Sequence, residues 1–299
     1  MLNFIYVNKF IAKYFQSSEN IDYEHPSKNI NPDSPNYRVM LEAIDYIDNM
    51  ERELVNVVSS DKTKLFARYF NNDSDKTVIL FHDVNHDPIT QFCCHINYFF
   101  NEGYNVLVPY MRGHFLSKAK YHSYGYLESN DVASWVEWTN KRVGTNGSIF
   151  LVGIGVGANA ICMYSAMDVP SNVKRLLLDS PFLSLKDFVD EIIESDNIKD
   201  EDGMKLDIYK SIEKNLGFNI VKSTCIIPIK KCKLPVYFSC LEREGSKVSI
   251  YTQTLAAFCP TTVDTLILPC SEFDSDQTYF ANRVAYNKFL KKFVSEKGK

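Results

Sequence analysis

Residues 148–167 read Ser148-Ile-Phe-Leu-Val152-Gly153-Ile154-Gly155-Val156-Gly157-Ala158-Asn-Ala-Ile-Cys-Met-Tyr-Ser-Ala-Met167. Ser148 to Val152 is a short apolar run, the pattern of a strand buried on both faces. Ala158 to Met167 has helical character. Three glycines at alternate positions join them, so the stretch predicts strand, tight turn, helix. A phosphate cradle needs G-x-G-x-x-G, and the spacing here is G-x-G-x-G. A dinucleotide fingerprint also wants an acidic residue at the next strand end about 20 residues on. Asp179 stands in a different context, so the nucleotide reading is set aside.

Outward from this turn the chain alternates. Thr77–His82, Tyr104–Pro109, Val173–Leu178, Leu234–Ser239 and Thr265–Leu268 read as further buried strands. Ile89–Asn101, Leu127–Val143 and Asn282–Val294 read as helices. Upstream, Arg38 to Glu53 carries apolar residues at helical spacing. The run LVNVVSSDKTKLFARYF reads as two strands around SSDKTK, a hairpin. Apolar strands separated by helices predict an α/β chain with a mostly parallel sheet covered on both faces. Functional groups then belong in loops at the C-terminal strand ends. Residues 184–230 interrupt the alternation with two helical stretches, Leu185–Ser195 and Met204–Leu216. They read as a small helical, lid-like insertion or as a long crossover. The domain expectation is a helical lead-in over 1–53 and one domain over 54–299.

Five segments, in order, carry a resemblance. They are VILFHD, VPYMRGHFLS, YGYLESNDVASWVEWTNKR, GIGVG and LLLDSPFLSLKDFV. Together they resemble the α/β-hydrolase superfamily, and within it the bacterial lysophospholipase-like and serine-aminopeptidase-like (S33-like) branch. The resemblance runs from about residue 54 to the C-terminus. It implies an α/β-hydrolase fold, with the glycine-rich turn standing where a G-x-S-x-G nucleophile elbow would be. It also implies a triad in chain order serine, acid, histidine. Those positions fall on Gly155, Glu244 and Ser275. Glu244 lies in the loop Leu241-Glu242-Arg243-Glu244 after the strand LPVYFS. The oxyanion loop falls on His82, Asp83 and Val84, with Val156 following the elbow.

The departures bear on function. Gly155 has no side chain to attack a carbonyl. The histidines are His25, His82, His86, His95, His114 and His122, and none follows residue 122. Hydroxyl attack needs a base within reach and an acceptor to orient that base. Loss of a triad costs a factor of about 10⁶ where it has been measured. Asp83 replaces the usual glycine of the oxyanion loop, and a carboxylate there repels a developing oxyanion. The reading is a catalytically degenerate triad, hence a pseudoenzyme that binds a small ligand or a protein partner. Two alternatives stand beside it: an ester or amide hydrolase with a relocated catalytic set, and a purely structural or interaction protein. The expected pocket lies above Gly155, under residues 184–230, with extra room at its glycine floor. Ser180 is an alternative nucleophile. Ser123 and Tyr124 are candidate pocket-lining residues or a packed loop. His82, His86 and Asp87 have unspecific metal-ligand spacing, so no metal and no cofactor is expected.

Composition agrees. The 299 residues hold Lys+Arg 33 and Asp+Glu 37, a net charge of -4, with no basic excess for nucleic acid. The 8 cysteines form no CxxC pair and several, Cys162 among them, sit in apolar runs. They read as reduced core thiols in a cytoplasmic, reducing setting. Residues 1–15 are apolar but broken by Asn3, Asn8, Lys9 and Lys13. They read as an amphipathic helix, docked on the domain or weakly touching a membrane surface, rather than a span or signal peptide.

Overall fold

The computed structural model describes residues 2–16, 21–198, 203–269 and 278–295. The strands are β1 (Glu53–Val58), β2 (Lys64–Phe70), β3 (Lys76–Phe81), β4 (Asn105–Tyr110), β5 (Ser148–Ile154), β6 (Val173–Asp179), β7 (Val236–Glu242) and β8 (Thr262–Pro269). They form one sheet in the order β1-β2-β4-β3-β5-β6-β7-β8. β1 pairs with β2, and β2 with β4, antiparallel; every later pairing is parallel.

The helices are α1 (Leu2–Phe15), α2 (Tyr37–Asp48), α3 (Pro88–Asn101), α4 (Glu128–Val143), α5 (Val156–Tyr164), α6 (Leu185–Ser195), α7 (Met204–Leu216), α8 (Ile226–Lys231), α9 (Val248–Phe258), α10 (Thr278–Ala281) and α11 (Arg283–Val294). They cover both faces of the sheet. The strands divide between the two cores with period two. In β3, Ile79 and Phe81 join one core with α1, α4, α5 and the helices between β6 and β7. Val78 and Leu80 join the other, with α2, α3 and α11. This double burial is why β3 and β5 read as continuous apolar runs rather than alternating ones.

Several boundaries differ from the sequence expectation. The helix expected over Arg38–Glu53 stops at Asp48, because Glu53 already pairs with Tyr69 in the hairpin. The expected helix over Ala158–Met167 begins two residues earlier and ends at Tyr164. β7 continues to Glu242, since Leu241 and Glu242 pair with Leu268 and Pro269. The loop expected from Leu241 therefore starts at Arg243. α8, α9 and α10 were not expected. Between β6 and β7 lie α6, α7, a 3-10 turn at Ile220–Lys222 and α8, and residues 199–202 fall outside the described residues.

α1 lies on the domain. Val7, Phe10, Ile11 and Phe15 are buried in the same core as Ile208 and Ile212 of α7. The backbone carbonyl of Phe15 accepts from His122 N at 2.8 Å. Among the described residues no helix is long and apolar enough to cross a membrane. Seven cysteines, Cys162 included, are buried free thiols; Cys270 lies outside the described residues.

Candidate functional site

β5 ends at Ile154 and α5 starts at Val156, leaving one residue to reverse the chain. Gly155 does so with φ +53° and ψ -115°, in the positive-φ region that favours glycine. Its amide donates to the Asp179 carbonyl at the end of β6, at 2.9 Å. The flanking glycines serve close approach. A Cβ on Gly157 would sit 2.0 Å from the Phe81 carbonyl oxygen, and one on Gly153 would sit 2.4 Å from the Gly157 carbonyl carbon. The first turn of α5 thus crosses the end of β3 at backbone contact.

The space above Gly155 is taken. A Cβ built there would meet Asp83 Cγ and Oδ2 at 2.3 Å and Oδ1 at 2.4 Å. Asp83 Oδ1 accepts from Val84 N at 2.8 Å and from Val156 N at 2.9 Å. The Asp83 amide in turn donates to Gln91 Oε1 at 2.9 Å. The two amides point at one spot from the loop after β3 and from the N-terminus of α5, as a pair stabilising an oxyanion would. Here they hold a side-chain carboxylate. The room expected at the glycine floor is therefore corrected: Asp83 occupies it, because an anion is the natural occupant of converging amides at a helix N-terminus.

The histidines near the turn are built into the scaffold. His82 is fully buried; Nδ1 meets the Asp83 carbonyl at 2.6 Å and Nε2 accepts from Met111 N at 2.9 Å. His114 Nε2 accepts from Asn85 N at 3.1 Å, and its Nδ1 is 3.3 Å from the Arg112 carbonyl. The His122 ring stands 4.7 Å from that of His114, which stands 4.6 Å from that of His82. Burial holds His82 down to about 3 and lowers His114 and His122 as well. These rings are neutral, with both nitrogens of His82 and His114 engaged. They position the loop that carries Asp83.

Arg112, beside them, makes a two-pronged pair with Asp131 at 2.6 and 2.8 Å, and Ser59 donates to the same carboxylate at 2.7 Å. The VPYMRGHFLS segment is thus pinned to α4 and the hairpin. Ser123 and Tyr124 are buried. Ser123 hydrogen-bonds Glu128, and the Tyr124 ring packs 5.1 Å from Phe15 and 4.6 Å from Phe188. Of their two expected roles the structure places them in packing, because aromatic neighbours fill the space around them.

Glu244 is exposed in the turn after β7. Ser275 lies outside the described residues. Ser180, at φ +54°, donates its hydroxyl to Asp179 Oδ1 at 2.8 Å. Asp179 also accepts from Thr278 Oγ1 at 2.7 Å and Tyr286 Oη at 2.8 Å. Burial raises its carboxyl to about 6, against the pull of these hydroxyls. Among the described residues no cluster of three or more His, Cys, Asp or Glu side chains forms a metal-binding set.

A cavity of about 490 Å³ does exist, but not where the sequence placed it. Its walls come from residues 21–40, from the loop and helix over residues 85–95, and from Ile154, Asp179, Tyr279 and Phe280. Neither Gly155 nor any described residue of 184–230 lines it. On that other side Tyr124, Phe182 and Phe188 pack together and Asp83 closes the turn. The sequence reading missed Asp87 and His95 as cavity residues. A histidine and an acidic helix cap are weak signals without the tertiary neighbours.

No protein-family model matches the chain, and no curated protein matches it. Solved structures do. An esterase from Pyrococcus furiosus superposes with TM-score 0.65 at 18% identity, over 93% of this chain and 98% of that one. A hydrolase from Pseudomonas aeruginosa gives TM-score 0.58 at 12% identity, over 81% and 98%. A lipase-esterase related protein from Clostridium acetobutylicum gives 0.55 at 17% identity, over 81% and 99%. Identities this low speak to architecture alone. With the sheet order and the glycine turn between β5 and α5, they show that this chain has the α/β-hydrolase fold.

Proposed function

We propose that this protein binds a small ligand and does not hydrolyse it: an α/β-hydrolase-fold pseudoenzyme with a degenerate triad. One observation carries the reading. The Asp83 carboxylate takes both converging amides and fills the space above Gly155. A nucleophile is absent at residue 155, and the donors that would steady an oxyanion already hold an anion. A relocated catalytic set fares worse, because the ring nitrogens of His82 and His114 are engaged by the backbone. The motif set supports a place beside the lysophospholipase-like branch, with the helices between β6 and β7 in the position of a lid. Buried free thiols support a reducing, cytoplasmic setting. The cavity of about 490 Å³ supports a small-molecule ligand over a protein partner.

The test is hydrolysis of short- and long-chain nitrophenyl esters by purified protein, with fluorophosphonate labelling in parallel. Turnover at the buffer rate and no labelling are expected. Turnover that His82→Ala or Asp83→Ala abolishes would place the protein among active hydrolases.

A further inference from the structure

On the sheet face covered by α2, α3 and α11, the cavity gathers polar atoms that the fold leaves unpaired. His95 is 2% exposed, and neither ring nitrogen has a hydrogen-bond partner among the described residues. The rings of Phe92, Tyr279 and Tyr286 surround it at 5.3, 5.1 and 5.5 Å. Asp87 is also 2% exposed. Its Oδ2 caps α3, accepting from Thr90 N at 2.7 Å and Thr90 Oγ1 at 2.8 Å, while Oδ1 has no hydrogen-bond partner within 3.5 Å among the described residues. Both residues line the cavity. Unpaired polar atoms cost free energy when buried, and a phenylalanine would suit the aromatic surroundings of His95 better. Two such residues facing one cavity mark a place that something else completes.

Charge narrows what that is. Asp87 and Asp179 are the acidic side chains among the described lining residues, and Lys28 is the basic one. Lys28 stands at the exposed mouth, its Nζ 3.2 Å from Asp22 Oδ2. The floor is therefore acidic. Ile154, Tyr279 and Phe280 make its other surfaces apolar and aromatic. A carboxylate or phosphate ligand would face two carboxyl groups. An ammonium group would donate to Asp87 Oδ1 and to the acceptor nitrogen of neutral His95, with its apolar body against the rings. Burial now pushes Asp87 up to about 6, and a bound cation would relieve that.

We propose that this cavity is a binding site for a small organic ammonium compound with an apolar or aromatic body, held by Asp87 and His95. The proposal names the ligand class for the binding reading above and rests on it.

The experiment is calorimetric titration and thermal melting of the full chain with 2-phenylethylamine and benzylamine. Two isosteric controls, 2-phenylethanol and phenylacetate, accompany them. At least one amine should bind saturably and raise the melting temperature, and neither control should. Asp87→Asn keeps a helix-capping side chain but removes the charge, and should weaken the amine about tenfold or more. His95→Phe should also weaken it, while raising the melting temperature of the ligand-free protein. A purely structural histidine would lower it. No amine binding, equal binding of the controls, or unchanged affinity in Asp87→Asn each overturns the proposal. The ester assay on the same preparation keeps the two readings apart. Absent amine binding without turnover refutes this site alone, whereas turnover refutes the non-hydrolytic reading whatever the amines do.

Discussion

Replacing Gly155 by serine adds a side chain to the turn, and the structure sets its cost. The new Cβ arrives 2.3 Å from Asp83 Cγ, far inside van der Waals contact. The backbone of α5 cannot retreat, because Gly157 already touches the Phe81 carbonyl. Asp83 must leave, and its bonds to Val84 N and Val156 N go with it. Charged hydrogen bonds contribute about 1.5–3 kcal/mol each, less what water returns to a partly buried carboxylate. A side chain at φ +53° adds strain of about 1–2 kcal/mol. The expected loss for Gly155→Ser is about 2–4 kcal/mol. In an Asp83→Ala background the collision is gone, and strain alone remains, about 1–2 kcal/mol. The double-mutant cycle should therefore show a favourable coupling of about 1–2 kcal/mol. Urea unfolding followed by the fluorescence of Trp135 and Trp138 measures all four corners. Additivity within about 0.5 kcal/mol would mean that Asp83 does not occupy the elbow in solution. Neither serine variant should turn over esters, since His82 and His114 are committed to the backbone. Efficient turnover would refute the reasoning on the base.

Two further outcomes follow from the same geometry. Gly157→Ala should destabilise more than Gly155→Ala, because its Cβ meets the Phe81 backbone at 2.0 Å rather than a side chain that can swing away; comparing the two urea midpoints checks this, and the reverse order refutes the close crossing of α5 over β3. The second concerns pH. His95 stays neutral in the fold, held down to about 3 by burial, but titrates near 6.5 when unfolded. A depressed folded value leaves its contribution intact above about pH 6.5 and erodes it as pH falls towards 3. His95→Phe should therefore gain on the wild type by up to about 1.4 kcal/mol per pH unit below 6.5. Unfolding measured at several pH values between 7 and 5 reads it, and parallel curves would show that His95 is charged in the fold.

The architecture was largely written in local patterns. Double burial makes β3, β4 and β5 nearly continuous apolar runs, so they announce themselves in a single chain. The glycines at 153, 155 and 157 also read directly, because backbone contact and positive φ leave few other residues usable. The vacancy at residue 155 and the want of a histidine after residue 122 needed nothing beyond residue identity. Element ends were less legible. Glu242 extends β7 only because β8 offers Pro269 as a partner, and such pairing is invisible to a local window.

What occupies the site was a tertiary matter. Asp83 in the sequence is an acidic residue after a strand. Only the fold brings it over Gly155, a turn some seventy residues away, and shows it holding the amides of Val84 and Val156. The cavity follows the same rule. In the sequence Asp87 offers only an unspecific metal-ligand spacing with His82 and His86, and His95 is one histidine of six. Their unpaired atoms become evident only when α3, the 21–40 segment, Asp179 and Tyr279 close around one space. Sequence determines which groups are available and which strands must be buried, because those depend on composition and short-range periodicity. Which groups meet, and which are left without partners, depends on long-range packing that no local pattern encodes.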